Sequence, residues 1–97
     1  MSNVEFLRQI SPASAEAFQA LRKSVMAAGP LDHTTCELIA LGALATSGEE
    51  DSFKVHARRL VKEGVGLDAL RQAVLVTFAA STTFSQIIAA LHWIDEL

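Results

Sequence analysis

The sequence predicts an all-α fold. No stretch alternates apolar and polar residues with the period of two that a half-buried strand needs, and helix-ending glycines and prolines recur along the chain. Sixteen of the 97 residues are alanine, the best intrinsic helix former. With 51% hydrophobic and only 20% charged residues, the chain is too apolar and too weakly charged for intrinsic disorder. Its length suits one domain of about 100 residues, so residues 1–97 are read as a single domain without linker, repeat or low-complexity tract.

About six helices follow in order. The first is expected over Asn3–Ile10, with Val4, Phe6, Leu7 and Ile10 as its apolar side. Ser11-Pro12 then restarts the chain, because serine caps free N–H groups and proline suits the first helical position. A second helix runs to Ala28, with Phe18, Leu21, Val25 and Met26 at helical spacing, and Gly29-Pro30 ends it. Asp32 is the expected cap of a third helix, which carries Leu38, Ile39, Leu41 and Leu44 and stops near Gly48. The fourth opens with Glu49, Glu50 and Asp51 and closes with Arg58, Arg59 and Lys62 before Gly64, each charge at the helix end whose partial charge favours it. Gly64-Val65-Gly66 leads into a fifth, Leu67–Ala80, whose apolar residues spread round the whole helix; such a helix is central or at an interface. Ser81-Thr82-Thr83 separates it from a last helix, Thr83–Glu96, bearing Ile87, Ile88, Leu91 and Ile94. Residues 1–28 thus hold the N-terminal helices.

A chain this short buries only roughly 60–65% of its unfolded surface, so part of its apolar material is expected to face other copies in a homo-oligomer. The net charge of −3 and the eight Lys and Arg residues give no basic stripe, which argues against nucleic acid as a partner. The lone cysteine, Cys36, forms no internal disulfide and suits a reducing cytoplasm. Its longest apolar runs, Leu38–Ala45 and Ala73–Ala80, fall far below the roughly 20 residues that span a bilayer. The start Met1-Ser2-Asn3-Val4 has no signal-peptide character. A cytoplasmic protein without membrane partners is the expectation.

Two polar residues stand out against the apolar pattern. Glu37 shares a helical face with Leu41 and Leu44, which sets a carboxylate among core positions; such a group is normally paired or protonated. Glu49, Ser52 and His56 share a face of the next helix, and His56 borders the apolar stripe of Phe53 and Leu60. If the two helices meet there, Glu37 and His56 form either an acid/base pair, the carboxylate setting the imidazole tautomer, or a purely structural bridge. Cys36 lies about 100° round the helix from Glu37 and reads as an inert core thiol. His33 has no assigned role, while His92 and Trp93 read as packing or interface residues. No close pair of histidines, no pair of cysteines and no glycine-rich phosphate loop occurs, so no metal or other cofactor is expected.

The segment Gly29-Pro-Leu-Asp-His-Thr-Thr-Cys-Glu-Leu-Ile-Ala-Leu-Gly-Ala-Leu-Ala, then a turn and a helix holding His56, Ala57 and Glu63-Gly64, resembles the carboxymuconolactone decarboxylase family and its alkylhydroperoxidase D-like relatives. The likeness continues through Gly64-Val-Gly-Leu-Asp-Ala-Leu-Arg-Gln-Ala-Val. It implies an all-α bundle with 29–97 as the family core, assembled as a trimer, a hexamer or a related ring. The family's glutamate matches Glu37 and its histidine matches His56. In the peroxidase branch a C-x-x-C pair precedes that histidine, but here those positions are Glu49 and Ser52.

Dithiol peroxide reduction needs one thiolate to attack the peroxide and a second thiol to resolve the sulfenic acid, so that activity is not expected. Cys36 as a one-cysteine centre is a remote alternative, since it stands before Glu37 where the family commonly has arginine. The decarboxylase branch does not use the pair, and there Glu37 and His56 suit lyase-like proton transfer on a small organic acid or lactone, with Glu49 and Ser52 on the pocket wall. No obvious cation stands beside the pair to hold an anionic substrate; Arg58 and Arg59 are the nearest candidates in sequence and are assigned to the solvated side or an interface. The rival reading is a non-catalytic family member that acts in binding or assembly.

Overall fold

A computed structural model describes residues 1–97 as six α-helices with no strand. The chain divides into two compact units, Met1–His33 and Thr34–Leu97. In the first, α1 (Asn3–Ile10) packs against α2 (Pro12–Met26). Ser2 and Glu5 close a capping box on α1, and the Ser11 hydroxyl accepts from the backbone N–H of Ser14, with Pro12 beside it at the start of α2. The second helix ends two residues before the predicted Ala28, because Ala27 and Ala28 turn their N–H groups to the carbonyls of Ser24 and Val25 in a tightened last turn. Ala15 is the buried residue of this unit, while Phe6, Ile10, Phe18, Leu21 and Val25 stand exposed.

The second unit contains α3 (His33–Ser47), α4 (Glu50–Lys62), α5 (Leu67–Val76) and α6 (Phe84–Asp95). Both predicted stops at glycine are present. Gly48 has φ +73° and Gly64 φ +92°, and the N–H of the residue after each reaches back to Leu44 and Leu60 respectively, as a Schellman ending requires. The core joins Leu41 and Ala45 of α3, Phe53, Ala57 and Leu60 of α4, Leu70 and Val74 of α5, and Ile87, Ala90 and Ile94 of α6. Trp93 packs edge-on against Phe53, with ring centroids 5.3 Å apart.

Helices α3 and α5 approach closely at Gly42, where an added Cβ would lie 3.2 Å from Thr77 Cγ2 and 3.3 Å from the Ala73 carbonyl oxygen. One turn further along α3, the Thr46 and Thr82 hydroxyls share a hydrogen bond of 2.6 Å. Gln86, which completes the capping box of α6 with Thr83, also donates to the Thr46 carbonyl at 2.7 Å. Lys54 reaches Glu50 at 2.8 Å and Glu96 at 2.7 Å, tying α4 to the end of α6; those bonds, to Glu50 first and then Glu96, raise the Lys54 pKa.

The predicted end of α5 is corrected. The α-helix stops at Val76 rather than Ala80 and continues only as a single 3-10 turn, Thr77–Ala79. Thr77 Oγ donates to the Val74 carbonyl at 2.6 Å, a local bond that competes with helix propagation. Of the two placements expected for it, a central one does not fit, since it buries only Leu70 and Val74 and leaves Leu75, Val76 and the following Phe78 about half exposed. No helix is long and apolar enough to cross a membrane.

Candidate functional site

Glu37 is fully buried on α3 one turn before Leu41, and α4 brings His56 to it. The His56 Nδ1 lies 2.9 Å from Glu37 Oε2. The other carboxylate oxygen, Oε1, accepts from Arg59 Nη1 at 3.3 Å. Helical spacing explains why one helix supplies both partners: His56 and Arg59 are three residues apart and project from neighbouring points of one face. Phe53, Ala57 and Leu60, buried in the core, fix the rotation of α4 that turns this face to Glu37.

Exposure rises outward through the group. The Glu37 side chain is 0% exposed, that of His56 18% and that of Arg59 38%. The one hydrogen bond of His56 uses Nδ1, and no fully buried side-chain nitrogen or oxygen in the protein lacks a partner. His56 Nε2, which has none, is therefore in contact with solvent. A carboxylate only accepts hydrogen bonds, so Nδ1 is the protonated nitrogen when the ring is neutral, and Nε2 then carries the lone pair. The imidazole thus turns Nε2 outward and has Nδ1 held by a buried acid.

The predicted meeting of Glu37 and His56 is thus present. Glu49 is the exposed N-cap residue of α4, and its side chain makes no capping bond. Ser52 is partly buried one turn before His56. Neither makes a hydrogen bond or ion pair with Glu37 or His56. Cys36 is a partly buried thiol that forms no disulfide. Arg59 corrects the expectation that no cation stands beside the pair: it shares the His56 face, and that i, i+3 spacing was the signal that could have found it.

Grooves indent the surface of this unit. One, of about 450 Å³, runs between α3 and α5 along Leu38, Gly42, Thr46, Ala73, Val76 and Thr77. Another, of about 560 Å³, is lined by Arg58, Val61, Lys62, Leu67, Arg71 and Ile94 among others. Neither is lined by Glu37 or His56.

A family model described as the carboxymuconolactone decarboxylase family matches residues 12–96. The chain belongs to the carboxymuconolactone decarboxylase family. No curated relative and no solved structure matches it. The carboxymuconolactone decarboxylase match begins at Pro12 and takes in α2, so it extends beyond the segment from Gly29 onward that carries the resemblance by eye. Within this carboxymuconolactone decarboxylase family chain, Glu37 and His56 both lie in the matched region, and its lone cysteine forms no C-x-x-C pair.

Proposed function

We propose that this protein is a cytoplasmic, cofactor-free acid/base catalyst of the carboxymuconolactone decarboxylase family, acting on a small organic acid or lactone. His56 carries the proton, and Glu37 holds its ring. One observation carries the reading: Nδ1 is bound to a fully buried carboxylate while Nε2 is open to solvent. In a lactone bearing a carboxylate, breaking the C–CO₂⁻ bond releases CO₂ and leaves the electron pair on carbon. The imidazolium of His56 gives that carbon a proton from Nε2 and recovers one from water. Dithiol peroxidase chemistry is outside this proposal, because Glu49 and Ser52 supply neither an attacking nor a resolving thiol.

The test is turnover of carboxymuconolactone, the compound in the family's description, by the wild type and by His56→Gln. A second reading, a binding or assembly module in which Glu37 and His56 form a structural bridge, is favoured by one observation: neither of the grooves of about 450 and 560 Å³ borders the pair. It predicts that the substitution changes stability and no activity.

Self-association belongs to the same proposal. In the first unit Phe18, Leu21 and Val25 of α2, and in the second Leu75, Val76 and Phe78 at the end of α5, are exposed apolar residues that a second copy would cover. A trimer or hexamer is expected in sizing with light scattering at micromolar concentration. A monodisperse monomer there would reject the assembly.

A further inference from the structure

Arg59 is only partly used by the contact it makes. A guanidinium offers five N–H donors in a planar fork, and the bond to Glu37 engages Nη1 alone. Because no fully buried side-chain nitrogen lacks a partner, Nη2 and Nε of Arg59 reach solvent, as Nε2 of His56 does. Imidazole and guanidinium are bound to opposite oxygens of one carboxylate, so their distances to a common group are set by Glu37 rather than by two independent side chains. Their α4 positions are neighbours on one helix face. The free edge of Arg59 and the free nitrogen of His56 thus open on the same part of the surface.

The other cations of this unit are placed differently. Lys54 is held by Glu50 and Glu96, Arg71 is paired with Asp95 at 3.3 Å, and Arg58 and Lys62 line the groove of about 560 Å³ that His56 does not border. Neutralising Glu37 would need only a point charge, which a lysine supplies. A fork with one prong on Glu37 and a second edge in solvent is suited to a second planar anion, which it binds through two parallel N–H···O bonds.

We infer that Arg59 is a specificity-determining residue: its Nη2–Nε edge binds a carboxylate of the substrate and holds it beside Nε2 of His56. The inference rests on the acid/base reading of His56 and adds the group that selects and orients what His56 acts on. A substrate without a carboxylate is then bound weakly even where its reacting carbon is the same.

The experiment compares two planar probes of one shape, benzoate and benzamide, by NMR on the intact protein, reading the His56 ring and Arg59 Nε–H resonances. Benzoate is expected to shift both sets saturably, and benzamide neither. In Arg59→Gln the affinity for benzoate falls about ten-fold or more, the worth of one charge-assisted hydrogen bond, and Arg59→Lys, which keeps the charge without the fork, recovers only part of it. Equal binding of benzoate and benzamide, no binding of benzoate, or unchanged benzoate affinity in Arg59→Gln overturns the inference. So does a benzoate response confined to the groove of Arg58 and Lys62. If the glutamine variant fails to fold, the comparison of probes on the wild type decides alone. Failure of the acid/base reading is seen separately: His56→Gln would keep its turnover while benzoate binding still depended on Arg59.

Discussion

His56→Gln lowers turnover about 10²–10⁴-fold, the usual worth of a positioned general acid or base, and leaves the helical circular dichroism unchanged. Glutamine is close to histidine in length, and its amide N–H can keep a hydrogen bond to Glu37 Oε2, so the buried carboxylate is not abandoned. It has no nitrogen that takes up and releases a proton near neutral pH. The loss is therefore expected in kcat and kcat/KM alike, the signature of an interaction made in the transition state rather than in substrate binding. Undiminished turnover in a folded variant would remove His56 from the chemistry.

Phe53→Ala is the substitution with the largest expected effect on stability. Phe53 is completely buried, stands among core residues from all four helices of its unit, and meets the Trp93 ring edge-on. Truncation removes a large apolar side chain and leaves a cavity bounded by neighbours that relax only in part. Such changes cost about 3–5 kcal/mol, a large share of the roughly 5–15 kcal/mol that holds a small protein folded. Thermal unfolding should move down by roughly 15–30 °C at this chain length. A loss below about 1 kcal/mol in urea titration would mean that the site is not the close-packed centre described. Since Phe53 lies one turn before His56 and sets the rotation of α4, the variant should also weaken the Glu37–His56 contact.

Much of the fold was legible because its punctuation is chemical. Ser11-Pro12, Gly48 and Gly64 each mark a helix end by supplying a cap or a left-handed φ, and the structure places helix ends at all three. The end of α5 was less legible, because Thr77 acts through a bond to its own helix that residue spacing does not display. Glu37 was recognisable as a charge on an apolar face, and His56 as an imidazole at the edge of one. Arg59 escaped because a basic residue in the last turn of a helix already has a sufficient explanation in the helix dipole; only the fold reveals that this one reaches a buried acid. Periodicity likewise shows that Phe18, Leu21 and Val25 share a side of α2, and the structure leaves that side exposed.

The account depends above all on the state of one ring, and a long-range proton–nitrogen NMR correlation spectrum of His56 reads it directly. With Nδ1 bound to Glu37, the neutral ring should carry its proton on Nδ1 and leave Nε2 unprotonated. A neutral His56 with its proton on Nε2 would contradict the account, because the nitrogen required to accept a proton from the solvent side would already hold one.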